Sequence, residues 1–310
     1  MLYGVIALIV MRSGVGWVER LMPPVVTGAV VAVIGLNLAP VAVKSVSGSL
    51  FDTCIGLLTL LITGFIAVAA PGIWRRLPVI LGAIGGYFLY LLLANGLGLG
   101  KPIDFSQLAA APWIGLPKFA SPSFHADAMF LIAPVAIILV AENLGHIKAI
   151  GAMTGKSLVL GRAFFGDSLA TIVSAFGGGT GVTTYAENIG VMAVTRVYST
   201  LLFAVAAIGS ILLGFSPKFG ALILSIPGPV IGGLSIVLFG LIAAMAGRIW
   251  VQNNVDFSNP RNLITVGVAL TAGAGDLTVK FGGFTMGGIG TATFGAIILY
   301  QILAWNNAKE

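Results

Sequence analysis

Two glutamates stand out among the ten acidic residues of this chain. Glu142 follows the apolar run Leu131–Val140, and His146 lies four residues further on, so a helix would put both on one face. A buried carboxyl beside an imidazole can share a transferable proton with it. The plainer alternative is a structural Glu–His hydrogen bond at a helix end. A metal site is disfavoured: the only other histidine, His125, falls in a Pro-rich loop, and the single Cys54 is not placed to help. Most of the other carboxylates, Asp167 among them, lie in loops or at the ends of apolar runs, where a solvated role is expected.

The second glutamate, Glu187, sits in a stretch that interrupts a run of apolar segments. Gly177-Gly178-Gly179-Thr180-Gly181 comes first, then the β-prone Val182-Thr183-Thr184-Tyr185, then a helix-like run from Glu187 to Arg196. A spanning helix broken in its middle is tolerated only where the freed backbone is buried in protein or lines a water-filled cavity. Half-helices of this kind mark substrate sites near the bilayer midplane, and an ionisable residue at that depth is a functional candidate. The spacing predicts a short extended strand near Val182–Tyr185 and a half-helix from about Glu187. Tyr185 could stack on a flat ligand or pack between helices. Asn188 fits a role in tying down broken backbone, and Arg196 suits a helix C-terminus. No Lys-Ser/Thr follows the glycines, which argues against a phosphate-binding loop.

The elements that must position these groups are read from composition. Of 310 residues 58% are hydrophobic and 8% charged, with mean hydropathy +1.05. A soluble domain carries about 25% charged residues. Apolar runs near 1–11, 25–43, 54–71, 79–98, 126–146, 166–178, 183–195, 199–214, 229–247, 262–274 and 285–304 approach the roughly 20 residues of a spanning helix. The fold class expected is an all-α polytopic membrane protein with one broken helix. The net charge of +6 does not indicate nucleic acid, because the basic residues are scattered over short loops. Counted over those loops, they favour an orientation with the C-terminus inside. Residues 100–125, with Pro102, Pro112, Pro117 and Pro122, read as an ordered external loop.

Two segments match at a fixed offset. Pro24-Val25-Val26-Thr27-Gly28 aligns with Pro229-Val230-Ile231-Gly232-Gly233, and Gly35-Leu36 aligns with Gly240-Leu241. In the topology above they cross in opposite directions, as inverted-repeat transporters do. The repeat leaves the segment near Ala126 without a partner, and Met1–Met11 would span only about 16 Å of a hydrocarbon core of about 30 Å. Both observations predict about 80 further residues, roughly three helices, ahead of Met1. Three function classes follow: a proton-coupled carrier, a membrane-embedded enzyme using Glu142 and His146, and a non-transporting fragment or a chain completed by another copy. The absence of a credible nucleophile opposes the enzyme.

The run Glu187-Asn188-Ile189-Gly190-Val191-Met192-Ala193-Val194-Thr195-Arg196 matches the pattern [Gln/Glu/Pro]-Asn-x-Gly-x-x-x-x-Thr-[Arg/Lys/Gly] and so resembles the nucleobase–ascorbate transporter family. Ala141-Glu142-Asn143-Leu144-Gly145-His146 looks like that family's other substrate helix. Thr183–Asn188 and Val197-Tyr198-Ser199-Thr200 resemble its bacterial uracil/pyrimidine permease branch. The resemblance implies two inverted repeats divided into a core and a gate domain. Residues 1–20 would be a remnant of a core helix, 21–125 gate helices, 126–215 the core with the substrate, and 216–310 gate helices. It implies a multi-pass protein of the inner (plasma) membrane, importing uracil or another pyrimidine with protons. Glu142, Glu187, Tyr185, Ala186 and Phe239 would contact the base, and His146 with Glu142 would handle the proton. No cofactor, no metal and no nucleic acid are implied, and the partners expected are the nucleobase, protons and the lipid bilayer, with a homodimer as a possible assembly.

Overall fold

The structure is a computed structural model and describes residues 2–14, 16–117, 119–155, 159–185, 188, 192, 197–281 and 284–307. In chain order its helices are α1 (Leu2–Ser13), α2 (Gly16–Leu21), α3 (Pro24–Val46), α4 (Leu50–Ala69), α5 (Pro78–Tyr90), α6 (Ser106–Ala110), α7 (Ala126–Thr154), α8 (Leu160–Phe176), α9 (Thr200–Gly214), α10 (Pro217–Leu224), α11 (Gly228–Gln252), α12 (Pro260–Ala274) and α13 (Gly288–Asn307). A π-helical turn, Leu91–Gly96, prolongs α5. Four helical stretches are long and apolar enough to cross a bilayer: Pro24–Val46, Leu50–Ala69, Pro78–Gly96 and Gly228–Gln252. The pair α9 and α10 forms a fifth candidate, bent by 85° at Phe215–Ser216. These helices turn large apolar side chains outward. Phe65 is 70% exposed, Val68 72% and Leu201 70%, and α9 buries no residue at all among the described ones. A continuous apolar exterior of this kind is costly in water and suits lipid.

The chain divides into two compact units, residues 1–37, 119–190 and 240–310 in the first and 38–118 and 191–239 in the second. In the first unit α1 lies against α8 where small residues let the backbones approach. A Cβ on Gly4 would fall 2.6 Å from Ser168 Oγ, and one on Gly161 would fall 2.4 Å from Met11 Cγ. The pairs 4 with 168 and 11 with 161 run in opposite senses, so the two helices are antiparallel. α7 completes this layer, and Tyr3, Ala7, Val10, Ala136, Val140, Leu144 and Phe164 form its buried core. A second cluster joins the start of α3 to α12 and α13 through Val26, Val30, Val33, Val266, Ala269 and Ala292. Trp250 Nε1 of α11 donates to Val25 O of α3 at 3.2 Å.

The second unit is held by small residues in the same way. A Cβ on Gly82 would lie 2.0 Å from Thr63 Oγ1, one on Gly86 2.4 Å from Thr59 Oγ1, and one on Gly233 2.3 Å from Gly56 O. Without a hydrophobic drive between helices in lipid, such close backbone packing is a main source of association. Ile55, Tyr90, Ala94, Val230 and Leu234 fill the core. The loop between α6 and α7 is tied to α9 and α10: Gly115 N donates to Phe215 O at 2.9 Å, Lys218 N donates to Pro112 O at 3.0 Å, and Lys218 Nζ sits 5.1 Å from the centre of the Trp113 ring.

The sequence expectation of a strand at Val182–Tyr185 is corrected. The segment belongs to no ladder, and the strands among the described residues are Val279–Phe281 and Phe284–Met286, an antiparallel pair. A strand needs a neighbour for its N–H and C=O groups. Here side chains of α8 take that role instead.

Candidate functional site

The interruption after α8 is a helix stop with defined hydrogen bonds. Gly178 adopts φ +80°, Gly178 N donates to Ala175 O at 3.1 Å, and Gly179 N donates to Ser174 O at 2.8 Å. This is the Schellman arrangement, in which a left-handed residue lets the chain turn back and satisfy the last carbonyls. A Cβ on Gly178 would also lie 2.9 Å from Ala120 N. Glycine is required there twice, by conformation and by space.

After the stop the chain returns along α8. Ser174 Oγ donates to Thr180 O at 2.7 Å. Thr171 Oγ1 donates to Val182 O at 3.1 Å and accepts from Val182 N at 3.3 Å. Thr180 and Val182 thus meet successive turns of α8, at Ser174 and Thr171. Asp167, Thr171 and Ser174 recur at i, i+4 and i+7 and form one polar stripe beside the buried Gly161, Phe164 and Ser168. Thr171 and Ser174 serve the backbone of the returning segment, while Asp167 faces Asn143 of α7.

At the far end of that segment stands a buried polar cluster. His146 Nδ1 is 2.8 Å from Thr184 Oγ1. Thr184 Oγ1 lies 3.5 Å from Asn143 Oδ1. Asn143, wholly buried, donates through Nδ2 to Tyr3 Oη at 2.7 Å and to a carboxylate oxygen of Asp167. Four pieces of chain meet here: α1 by Tyr3, α7 by Asn143 and His146, α8 by Asp167, and the returning segment by Thr184. Burying this many polar groups is tolerated because each is hydrogen-bonded.

Of the sequence candidates, His146 is buried, 8% exposed, and in the cluster. Glu142 is on α7 one residue before Asn143, with its side chain outside the described residues. Ala186, Glu187 and Arg196 lie outside the described residues, so the half-helix expected from Glu187 does too. Tyr185 follows Thr184 and is 62% exposed. Phe239 is half-buried on α11 and belongs to the second unit. His125 is exposed ahead of α7, as its loop position suggested, and among the described residues no three metal-ligating side chains converge.

Asp167 corrects the sequence reading. It is not a solvated carboxylate at the end of an apolar run: it stands within α8, and its carboxylate accepts from buried Asn143. The available signal was its face, since Phe164, Thr171 and Ser174 lie at i−3, i+4 and i+7 from it. Tyr3, Asn143 and Thr184 were also missed as a cluster.

A separate cavity of about 380 Å³ in the second unit is lined by Tyr90, Lys101, Asp104, Gln107, Ser225 and Pro227 among others. On its rim Asp104 accepts from Ser106 N at 2.8 Å and Ser106 Oγ at 2.9 Å. These bonds to the charged form, the backbone one foremost, hold its pKa below the ordinary aspartate value of 3.8.

Long apolar helices, small-residue packing and a helix stop beside a buried polar cluster define a multi-pass helical membrane protein. A model of the permease family matches residues 1–281, and the chain belongs to that family. It is 60% identical over 306 residues to the putative pyrimidine permease RutG of Escherichia coli K12, covering 98% of this chain and 69% of that protein. It is 40% identical over 320 residues to the uracil permease of Bacillus caldolyticus, covering 98% and 72%. It is 36% identical over 332 residues to the uracil permease of Bacillus subtilis, covering 100% and 74%. These relatives are named as permeases, not enzymes, and the membrane-embedded enzyme is set aside.

Proposed function

We propose that this chain is a nucleobase carrier of the inner membrane, taking uracil or a closely related pyrimidine inward together with a proton. The observation that carries the reading is the stop at Gly178 and the return of the chain to His146, in a permease-family protein similar to uracil permeases. A half-helix that starts inside the protein leaves backbone N–H donors for a ligand carbonyl. A pyrimidine edge offers an N–H beside a C=O, and a protonated carboxyl presents the matching acceptor and donor. Glu142 and Glu187 are assigned that role, with Tyr185, Ala186 and Phe239 against the base and His146 with Glu142 as the proton-handling pair. A neutral loaded site costs less to move through a low-dielectric path than a charged one.

In this proposal residues 1–20 and 126–215 belong to the substrate-holding core and 21–125 and 216–310 to the gate. The match of Pro24–Leu36 with Pro229–Leu241 supports the inverted repeat that such a division requires.

The test is binding and uptake of labelled uracil across pH, with and without a proton uncoupler. Glu142→Gln and Glu187→Gln are each expected to weaken binding about tenfold or more, the scale of losing a hydrogen bond to a charged or proton-sharing group. His146→Ala is expected to change the pH dependence more than the affinity. Unchanged uracil affinity in both glutamate variants refutes the site. Uptake that ignores the uncoupler refutes proton coupling.

A further inference from the structure

Within the second unit, α9 and α10 form an elbow rather than one straight crossing. α10 has eight residues, a length of about 12 Å, and at 85° to α9 it advances only about 1 Å along the α9 axis. Ser216 Oγ caps it by accepting from Phe219 N at 3.3 Å, and Pro217 takes its first position. Its sides differ. Ala221 and Ser225 line the cavity that Lys101, Asp104 and Gln107 also line, and Ser225 Oγ is 2.8 Å from Tyr87 Oη. Phe219, Leu222 and Ile223, at i, i+3 and i+4, share the other face and are all exposed.

The loop tied to this elbow repeats the pattern. Trp113 is 74% exposed, Ile114 85% and Leu116 80%, although backbone hydrogen bonds on either side of Trp113 and Ile114 fasten the loop to Phe215 and Lys218. At 5.1 Å from the Trp113 ring centre, Lys218 Nζ is within cation–π range. Tryptophan beside a flexible cation suits the headgroup level of a bilayer, where the ring meets acyl chains and the ammonium reaches phosphate. The patch adjoins α9, whose apolar side chains already face lipid.

We propose that α10 and the loop 112–116 form one membrane-surface element: Ile114, Leu116, Phe219, Leu222 and Ile223 seat at the boundary between phospholipid headgroups and acyl chains, Trp113 with Lys218 anchors them, and the α10 axis lies in the membrane plane. The proposal stands on the membrane-protein fold alone, so it holds or fails whatever the chain carries.

The test is spin labelling in phospholipid vesicles. The single Cys54 is exposed and is first replaced by serine. Ile114→Cys, Leu116→Cys, Phe219→Cys and Ile223→Cys are then labelled one at a time in the full chain, reconstituted with phosphatidylethanolamine and phosphatidylglycerol. Depth is read from collisions with oxygen and with a water-soluble nickel chelate present on both sides. Gln107→Cys, exposed on α6, is the aqueous reference, and Leu61→Cys, exposed at mid-length of α4, the deep one. Labels at 114 and 116 are expected about 5–10 Å into the boundary. Positions 219 and 223 are about 6 Å apart along α10, and their labels are expected at one depth to within ~3 Å, whereas a helix continuing the crossing would separate them by the full ~6 Å. Adding Trp113→Ser is expected to move the 116 label toward water, and an unmoved label overturns the anchor. Water-like accessibility at 114 and 116 overturns the proposal. So does shielding from both reagents, as a second copy seated on the patch would give, and so does the full depth step between 219 and 223. Each label reports separately, so one variant that fails to reconstitute leaves the others to decide.

Discussion

Gly178→Ala is the sharpest perturbation of the helix break. At φ +80° an L side chain costs roughly 1–2 kcal/mol in the left-handed region. The added Cβ would in addition sit 2.9 Å from Ala120 N and 3.1 Å from Ala120 Cβ. Backbone atoms move only with their segment, so a further ~1 kcal/mol of overpacking is reasonable. The sum is about 2–3 kcal/mol, and at roughly 2–4 °C per kcal/mol for domains of 150–250 residues the midpoint should fall by about 5–10 °C. Gly181, three residues on, is the internal control. Its Cβ would make an ordinary 3.7 Å contact with Thr171 Cγ2, and its φ is not in the left-handed range. Gly181→Ala should leave stability unchanged or raise it by about 0.4–1 kcal/mol through the unfolded chain. Thermal unfolding in detergent, followed by circular dichroism, reads both. Equal midpoints for the two variants would refute the argument that the stop depends on residue 178.

Further expectations concern packing and capping. In the second unit Gly82→Ala forces a Cβ to 2.0 Å from Thr63 Oγ1 and should cost about 1–3 kcal/mol, whereas Gly64→Ala, with nothing within 4 Å, should be neutral or stabilising in the same melt. Asp276 Oδ1 accepts from Gly288 N at 2.9 Å and from Asn37 Nδ2 at 3.2 Å. Asp276→Ala should therefore cost about 1–2 kcal/mol by unfolding, with Asp276→Asn much milder because it keeps the oxygen and tolerates the residue's φ of 48°.

Much of the fold was legible because a bilayer leaves the backbone few choices. A run of about 20 apolar residues must satisfy its N–H and C=O groups within itself, and only a helix does that. The runs near 25–43, 54–71, 79–98 and 229–247 accordingly appear as α3, α4, α5 with its π turn, and α11. The stop at Gly177–Gly181 was legible for a related reason: clustered glycines carry no propensity to continue a helix and permit the left-handed turn. The hairpin at Val279–Met286 was missed although its signal is short and local, two Gly residues between alternating apolar positions. The right-angled bend at Phe215–Ser216 was missed as well. Its local signal is Ser216-Pro217, an N-cap whose hydroxyl accepts from Phe219 N followed by a proline at the first helical position, and hydrogen bonds to Pro112 and Gly115 hold it in place.

The polar cluster shows where sequence reasoning stops on physical grounds. Glu142 and His146 drew attention because two ionisable groups share a helix face, a property of one element. Asn143, between them, looks unremarkable by the same test, yet it is the wholly buried residue that joins α1, α7, α8 and the returning segment. Its importance comes from carrying two donors and an acceptor on one rigid amide, which can hold a hydroxyl, a carboxylate and a second hydroxyl at once. Asp167 is tolerable inside α8 only because Asn143 faces it from α7, and Asn143 is tolerable only because Tyr3, Asp167 and Thr184 satisfy it. Neither residue has a role that its own helix defines. A charged residue in an apolar helix is therefore better weighed by asking which buried amide or hydroxyl on another helix can meet it than by its distance from the end of its own run.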